Sequence, residues 1–439
     1  MKVAIYGVVG AGLLGATLLN AETLLLSNAV VHPVSSASIT NGEVLVQNGR
    51  IIQIFDSGLR SGRILPTDVT ELDLKGQHLY PGMIALNTDL GLVEIDAIRA
   101  TRDNREVGDY TPEVESWVAV NPDSELLPVA RANGVSHFEP VPLGSIVSGQ
   151  SGLVALDGWT TEQMTIKKPM ALHIFWPEMT LDTTPKEKAR DKSKWKSLGD
   201  QARERAEKIK ALDDFSAEAR AFAKARDAAK NGAPDPGRNL SWEAMLAVVR
   251  GEVPITIHAP EVRQITAAVR WAETNGFKIR IASGQDAWMV AGLLAEKNIP
   301  VIYDTVFSVP GRDTESYDVH FSAPEILRKA GVKVVFATGT ASESLVKNLP
   351  YHAAQAVAYG YPADEALKGI TLYPAQLAGV ADRLGSIEAG KEATLFAADG
   401  DILDIRSNVK RMWIAGKEVS LESRHTRLYE KYKNRPRTK

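Results

Sequence analysis

The segment YPGMIALNTDLGL, Tyr80 to Leu92, holds the first residues whose spacing could do chemistry. An apolar run that reads as a buried strand ends in Asn87-Thr88-Asp89 and then a glycine. Side chains two apart on a strand share a face, so Asn87 and Asp89 are expected to point the same way, where paired polar groups hold something polar. A second stretch, GSIVSGQSGLVALDG, is rich in glycine and serine. As a loop, its backbone N–H groups and the hydroxyls of Ser148 and Ser151 could bind a polar ligand; a plain flexible turn is the competing reading. In EIDAIRATRDNREVGDY, Arg99 or Arg102 could take a substrate carboxylate bidentately, with surface ion pairing as the alternative. No G-x-S-x-G elbow and no G-x-x-x-x-G-K-[ST] loop occurs, so neither a serine hydrolase of the α/β class nor a P-loop is supported.

The elements that must position these groups are legible in outline. TLLLSNAVVHP and GEVLVQNGRIIQIF are short β-rich runs, and Asn48-Gly49 between apolar flanks signals a type I′ hairpin. Further short strands near the far end, LGSIEAGKEATLFAADGDI and VKRMWIAGKEV, suggest that the two chain ends close on each other. Between them, AVRWAETNGFKIRIASG, VAGLLAEKNIPVIYDTV and ILRKAGVKVVFATG each run from helical stripe to glycine or asparagine stop to apolar strand. That punctuation implies a parallel sheet or barrel. Residues 185–232 break the rhythm as a charged amphipathic helical insertion, with Leu198, Ala202, Ile209, Leu212, Ala219 and Phe222 along one stripe.

Composition narrows the class. The 439 residues carry a net charge of −3, which gives no electrostatic reason to expect nucleic acid; the basic tail, residues 426–439, reads as a solvated helix end. With no cysteine, disulfides and thiol nucleophiles are excluded. MKVAIYGVVGAGLLGATLLNA reads as a secretory signal, residues 1–21, cleaved after Ala21, with an uncleaved anchor as the alternative. The expected compartment is a bacterial periplasm, with no membrane association after cleavage.

The order of parts, with NGRIIQI, LDLKGQHLYPGMI, ITLYPAQLAGVADRLGSIEAGKEATLF and VKRMWIAGKEV, resembles the amidohydrolase superfamily, nearest its imidazolonepropionase-like and dipeptidase-like branch. The resemblance implies an α/β fold: a (β/α)8 TIM-like barrel over residues 81–384, with a small β-sandwich built from 22–80 and 385–425. It also implies metal-assisted hydrolysis at the C-terminal ends of the barrel strands. Matched position by position, however, the strand 1 histidines become Asn87 and Asp89, and strand 4 offers His173. The strand 5 histidine is His258, the strand 6 histidine becomes Ser283, and the strand 8 aspartate becomes Gly339.

This set cannot build a paired-metal site. It leaves one divalent metal, zinc first, on Asp89, His173 and His258, or no metal, with both histidines satisfied by hydrogen bonds. Candidate bases are Asp304 after strand 7, His352 in NLPYHAAQ, and Glu94; Asn87 and Ser283 join Arg99, Arg102, Ser148 and Ser151 as substrate-binding candidates. Two functions remain open: an exported hydrolase of cyclic amide or peptide-like carbon–nitrogen bonds, or a degenerate, non-catalytic protein that binds a small ligand or partner. The expected partner is a small-molecule substrate, and a homo-oligomer is compatible with the sequence.

Overall fold

A computed structural model describes residues 23–56, 66, 68–340, 343–433 and 435–436; the expected signal, residues 1–21, lies outside the described residues. The chain opens with β1 (Thr23–Val31), β2 (Ile39–Gln47), β3 (Arg50–Asp56), β4 (Val69–Asp73) and β5 (His78–Pro81). Asn48 and Gly49 both take positive φ, 52° and 75°, so the β2–β3 hairpin turns as its sequence requires.

Eight strands then form one sheet: β6 (Met83–Thr88), β7 (Val135–Pro140), β8 (Val147–Ala155), β9 (Thr165–Phe175), β10 (Ile255–His258), β11 (Ile279–Ala282), β12 (Val301–Tyr303) and β13 (Val334–Phe336). They pair in chain order and bring β13 beside β6, nearly closing a barrel. Strand β8 departs from a regular (β/α)8 plan, because it pairs antiparallel with both β7 and β9. This corrects the reading of GSIVSGQSGLVALDG as a loop: Val147–Ala155 is a strand buried at every position. Gly149 makes that burial feasible, since a Cβ there would sit 2.6 Å from the Val114 carbonyl oxygen.

The chain returns through β14 (Leu395–Ala398), β15 (Val409–Ile414) and β16 (Lys417–Glu418). Strand β14 pairs with β5, so both chain ends join in one sheet with its own apolar cluster around Leu26, Val44, Leu79, Leu395 and Trp413. The insertion becomes a helix over Leu198–Ala229, capped by Ser197, whose hydroxyl accepts from the Asp200 N–H. Its first half is largely exposed; Leu212, Ala219 and Phe222 bury the second half. The tail forms the helix Arg424–Lys433, which buries none of its residues.

Candidate active site

At the barrel mouth, three strand exits leave the regular backbone. Asn87, Ser283 and Gly339 take φ of 54°, 55° and 86° at the ends of β6, β11 and β13. The turn at Asn87 corrects the expectation that Asn87 and Asp89 share a face, because a left-handed residue ends the two-residue alternation. Asn87 Nδ2 instead donates to Asp304 Oδ2 at 2.8 Å, and Ser283 Oγ donates to the same oxygen at 2.9 Å. A Cβ on Gly339 would stand 3.2 Å from that oxygen. The strand 7 carboxylate therefore fills space beside the exit where the resemblance expects an aspartate on strand 8.

Burial pushes the Asp304 carboxyl up to about 6 against the pull of those two hydrogen bonds. Its Oδ1 has no hydrogen-bond partner among the described residues. Asp304 and His352, the two expected proton carriers, line one cleft of about 540 Å³. Burial lowers His352 to about 4, so its ring is neutral at ordinary pH, and its buried Nδ1 lacks a partner among the described residues. Phe307 meets that ring edge-on at 4.9 Å between centroids.

Deeper in the barrel lies a charged lattice. Glu139 and Arg280 are 0% and 2% exposed, and Arg280 Nη2 donates to Glu139 Oε1 at 2.9 Å. Glu139 also accepts from Ser151 Oγ at 2.7 Å and from the Asn87 N–H at 3.1 Å. Burial alone would raise this carboxyl, but Arg280, His173 and Ser151 outweigh it and hold it down at about 2. Arg280 Nε donates in turn to Thr256 Oγ1 at 2.6 Å.

His173 stands between this lattice and His258. Its Nε2 faces Glu139 Oε1 at 3.5 Å and its Nδ1 meets His258 Nε2 at 3.0 Å. A proton on His173 Nε2 is favoured by the carboxylate, so Nδ1 accepts and His258 Nε2 donates. Burial first, then the neighbouring His173, lowers His258 well below the usual imidazole range, and its ring stacks on Phe175 at 4.0 Å.

The expected ligand set does not fit one ion in this arrangement. Both nitrogens of His173 and one of His258 are turned to protein groups, and Asp89 Oδ2 lies 3.5 Å from Asn104 Nδ2. Among the described residues, no group of three or more His, Cys, Asp or Glu side chains is arranged to hold a metal.

The remaining expected residues fall elsewhere. Ser148 is buried, its hydroxyl 3.5 Å from the His173 carbonyl oxygen, and Ser151 is spent on Glu139. The exposed Arg99 donates to the Arg102 carbonyl, while Arg102 pairs with Asp96 at 3.6 Å. Glu94 accepts from Asn121 Nδ2 at 3.2 Å. Sequence reasoning passed over Glu139 and Arg280. Each is a lone charge inside an apolar strand, HFEPV and IRIA, and an isolated charge there signals a buried pair.

A near-closed barrel whose polar groups gather at the strand C-termini defines the class. Residues 161–419, more than half of the chain, match the model of the amidohydrolase family, and the chain belongs to that family. The chain is 23% identical over 413 residues to amidohydrolase tasK of Hapsidospora irregularis, covering 85% of this chain but 39% of that protein. An amidohydrolase structure from Thermotoga maritima MSB8 matches at 28% identity with a TM-score of 0.78, covering 90% of this chain and 99% of that one. A zinc-bound adenosine deaminase from Xanthomonas campestris shares the fold at 17% identity and a TM-score of 0.50, covering 90% and 92% of the two chains.

Proposed function

We propose that this chain hydrolyses a cyclic amide or small peptide-like substrate at the barrel mouth, with Asp304 moving the proton. The carrying observation is a carboxyl that lines the cleft, is pushed up to about 6 by burial and keeps one oxygen without a hydrogen-bond donor among the described residues. As a carboxylate, Asp304 takes a proton from water while the water oxygen bonds to the substrate carbonyl carbon. The proton then passes to the leaving nitrogen as the C–N bond breaks. Asn87 and Ser283 are positioning residues that fix the carboxyl, and neutral His352 orients the substrate from the cleft wall.

Asp304→Asn should lower kcat by about 100-fold or more against a panel of cyclic amides and dipeptides, the scale of a lost general base. In the wild type, kcat/KM should rise with pH around a midpoint near 6, where Asp304 loses its proton. An unchanged rate in the variant would refute the mechanism. The alternative, a ligand-binding protein without turnover, is favoured by the lattice filling the lumen; absence of hydrolysis across the panel would decide for it.

Residues 1–21 direct export to the periplasm, which fractionation and N-terminal sequencing of the mature protein test. The joined terminal sheet serves as the family's small β-sandwich, checked by limited proteolysis for a stable terminal fragment pair. One zinc-like ion or none is tested by metal analysis of untagged protein. The partner is a small molecule, and sedimentation tests for a homo-oligomer.

A further inference from the structure

We propose that the cleft selects uncharged amides bearing an apolar group beside the scissile bond, disfavours substrates with a free carboxylate, and uses Ile405 to set this preference. The proposal rests on the Asp304 reading for the place of the reaction, and extends it to the substrate.

Three large apolar side chains from separate segments line the cleft while remaining open to water. Phe307 follows β12 and is 54% exposed, Leu345 precedes the helix Leu349–Ala358 at 44%, and Ile405 comes from the β14–β15 connection at 74%. Exposed apolar groups gathered around one concavity mark a binding surface. Ile405 lies in the connection between two strands of the sheet built from the chain ends, so that connection reaches the barrel mouth and supplies part of the wall.

The charge balance points to a neutral ligand. Among the described lining residues, Asp304 is the acidic member, His352 is neutral at ordinary pH, and neither lysine nor arginine is present. Asn348 and Thr338 supply uncharged polar groups, and Thr338 Oγ1 is buried without a hydrogen-bond partner among the described residues. Next to Leu345, Glu343 is pushed up by burial and by the negative charges of Asp89, Asp96 and Glu94. A carboxylate entering here would meet like charge, with no lysine or arginine among the described lining residues to pair with.

The test compares three compounds with the same side chains: cyclo(Leu-Phe), N-acetyl-Leu-Phe-amide and free Leu-Phe. The two neutral compounds should exceed the free dipeptide by at least tenfold. Selectivity is read as kcat/KM where turnover occurs and as calorimetric affinity on wild-type protein where none does. Neutral ligands that bind selectively without being hydrolysed would overturn the Asp304 mechanism and leave the selectivity standing. Ile405→Arg, at an exposed position that tolerates a long side chain, should narrow the preference at least threefold by offering the carboxylate a partner. A free dipeptide used as well as the cyclic one, no binding or turnover of either neutral compound, or an Ile405→Arg variant with unaltered selectivity would overturn the proposal.

Discussion

Replacing Arg280 with methionine tests the buried lattice directly. The change removes the guanidinium 2.9 Å from Glu139 Oε1 and leaves a carboxylate with no exposed surface, held only by Ser151, His173 and the Asn87 N–H. Breaking a buried pair from one side costs about 3–5 kcal/mol. The hold of Arg280, His173 and Ser151 on Glu139, which brings its carboxyl from 4.5 down to about 2 against burial, is of the same order, about 3 kcal/mol at neutral pH. Because the folded value is depressed, that contribution is present above about 4.5 and is lost as pH falls toward 2.

In Arg280→Met, burial is no longer opposed by the guanidinium, so the carboxyl rises and takes up a proton sooner on acidification. The deficit should therefore be largest at pH 7.5 and shrink toward pH 4.5. Guanidinium unfolding followed by tryptophan fluorescence at the two pH values measures it. The double variant Glu139→Gln with Arg280→Met should be more stable than Arg280→Met alone, because the orphaned charge is gone. A loss under about 1 kcal/mol at pH 7.5, or a deficit independent of pH, would show that Glu139 does not depend on Arg280.

Asp304→Asn should stabilise the fold by about 1–2 kcal/mol at pH 8 and by less at pH 5, discounted for its partial exposure. Its folded pKa is raised, so ionising it on the way up through about 6 weakens the native state; equal unfolding midpoints at pH 8 would contradict this. Gly339→Ala should cost about 1 kcal/mol for a side chain at φ 86°, and should reduce turnover by crowding the Asp304 carboxyl; a fully active variant would mean that carboxyl need not stay in place.

The outline of the molecule was readable because it rests on local signals. Asn48-Gly49 dictated its hairpin, and the strand-to-strand rhythm from Ile255 onward reflects helices that end where glycine or asparagine stops them. The cleft pair was half legible: Asp304 follows strand 7 and so points to the mouth, whereas nothing in NLPYHAAQ says where His352 lies, yet both line the same cavity. Other features depend on distant partners. Ser151 looked like a loop hydroxyl because glycine and serine around it mimic a turn, whereas its environment is fixed by Glu139 on a neighbouring strand. The contact between Glu139 and Arg280 joins residues 141 apart in sequence, and no periodic pattern announces such a pairing.

The pairing of β5 with β14 sets the order of events during synthesis. Pro81 finds its partner only when Leu395 has left the ribosome, and at about 5–20 residues per second that wait lasts on the order of 15–60 seconds. Throughout it, the early strands carry an unsatisfied edge with hydrophobic side chains such as Leu79, a surface on which chaperones or a neighbouring nascent chain can act. Completion of the fold is thus tied to the arrival of β14, and a chain cut short before it should have early strands prone to aggregation.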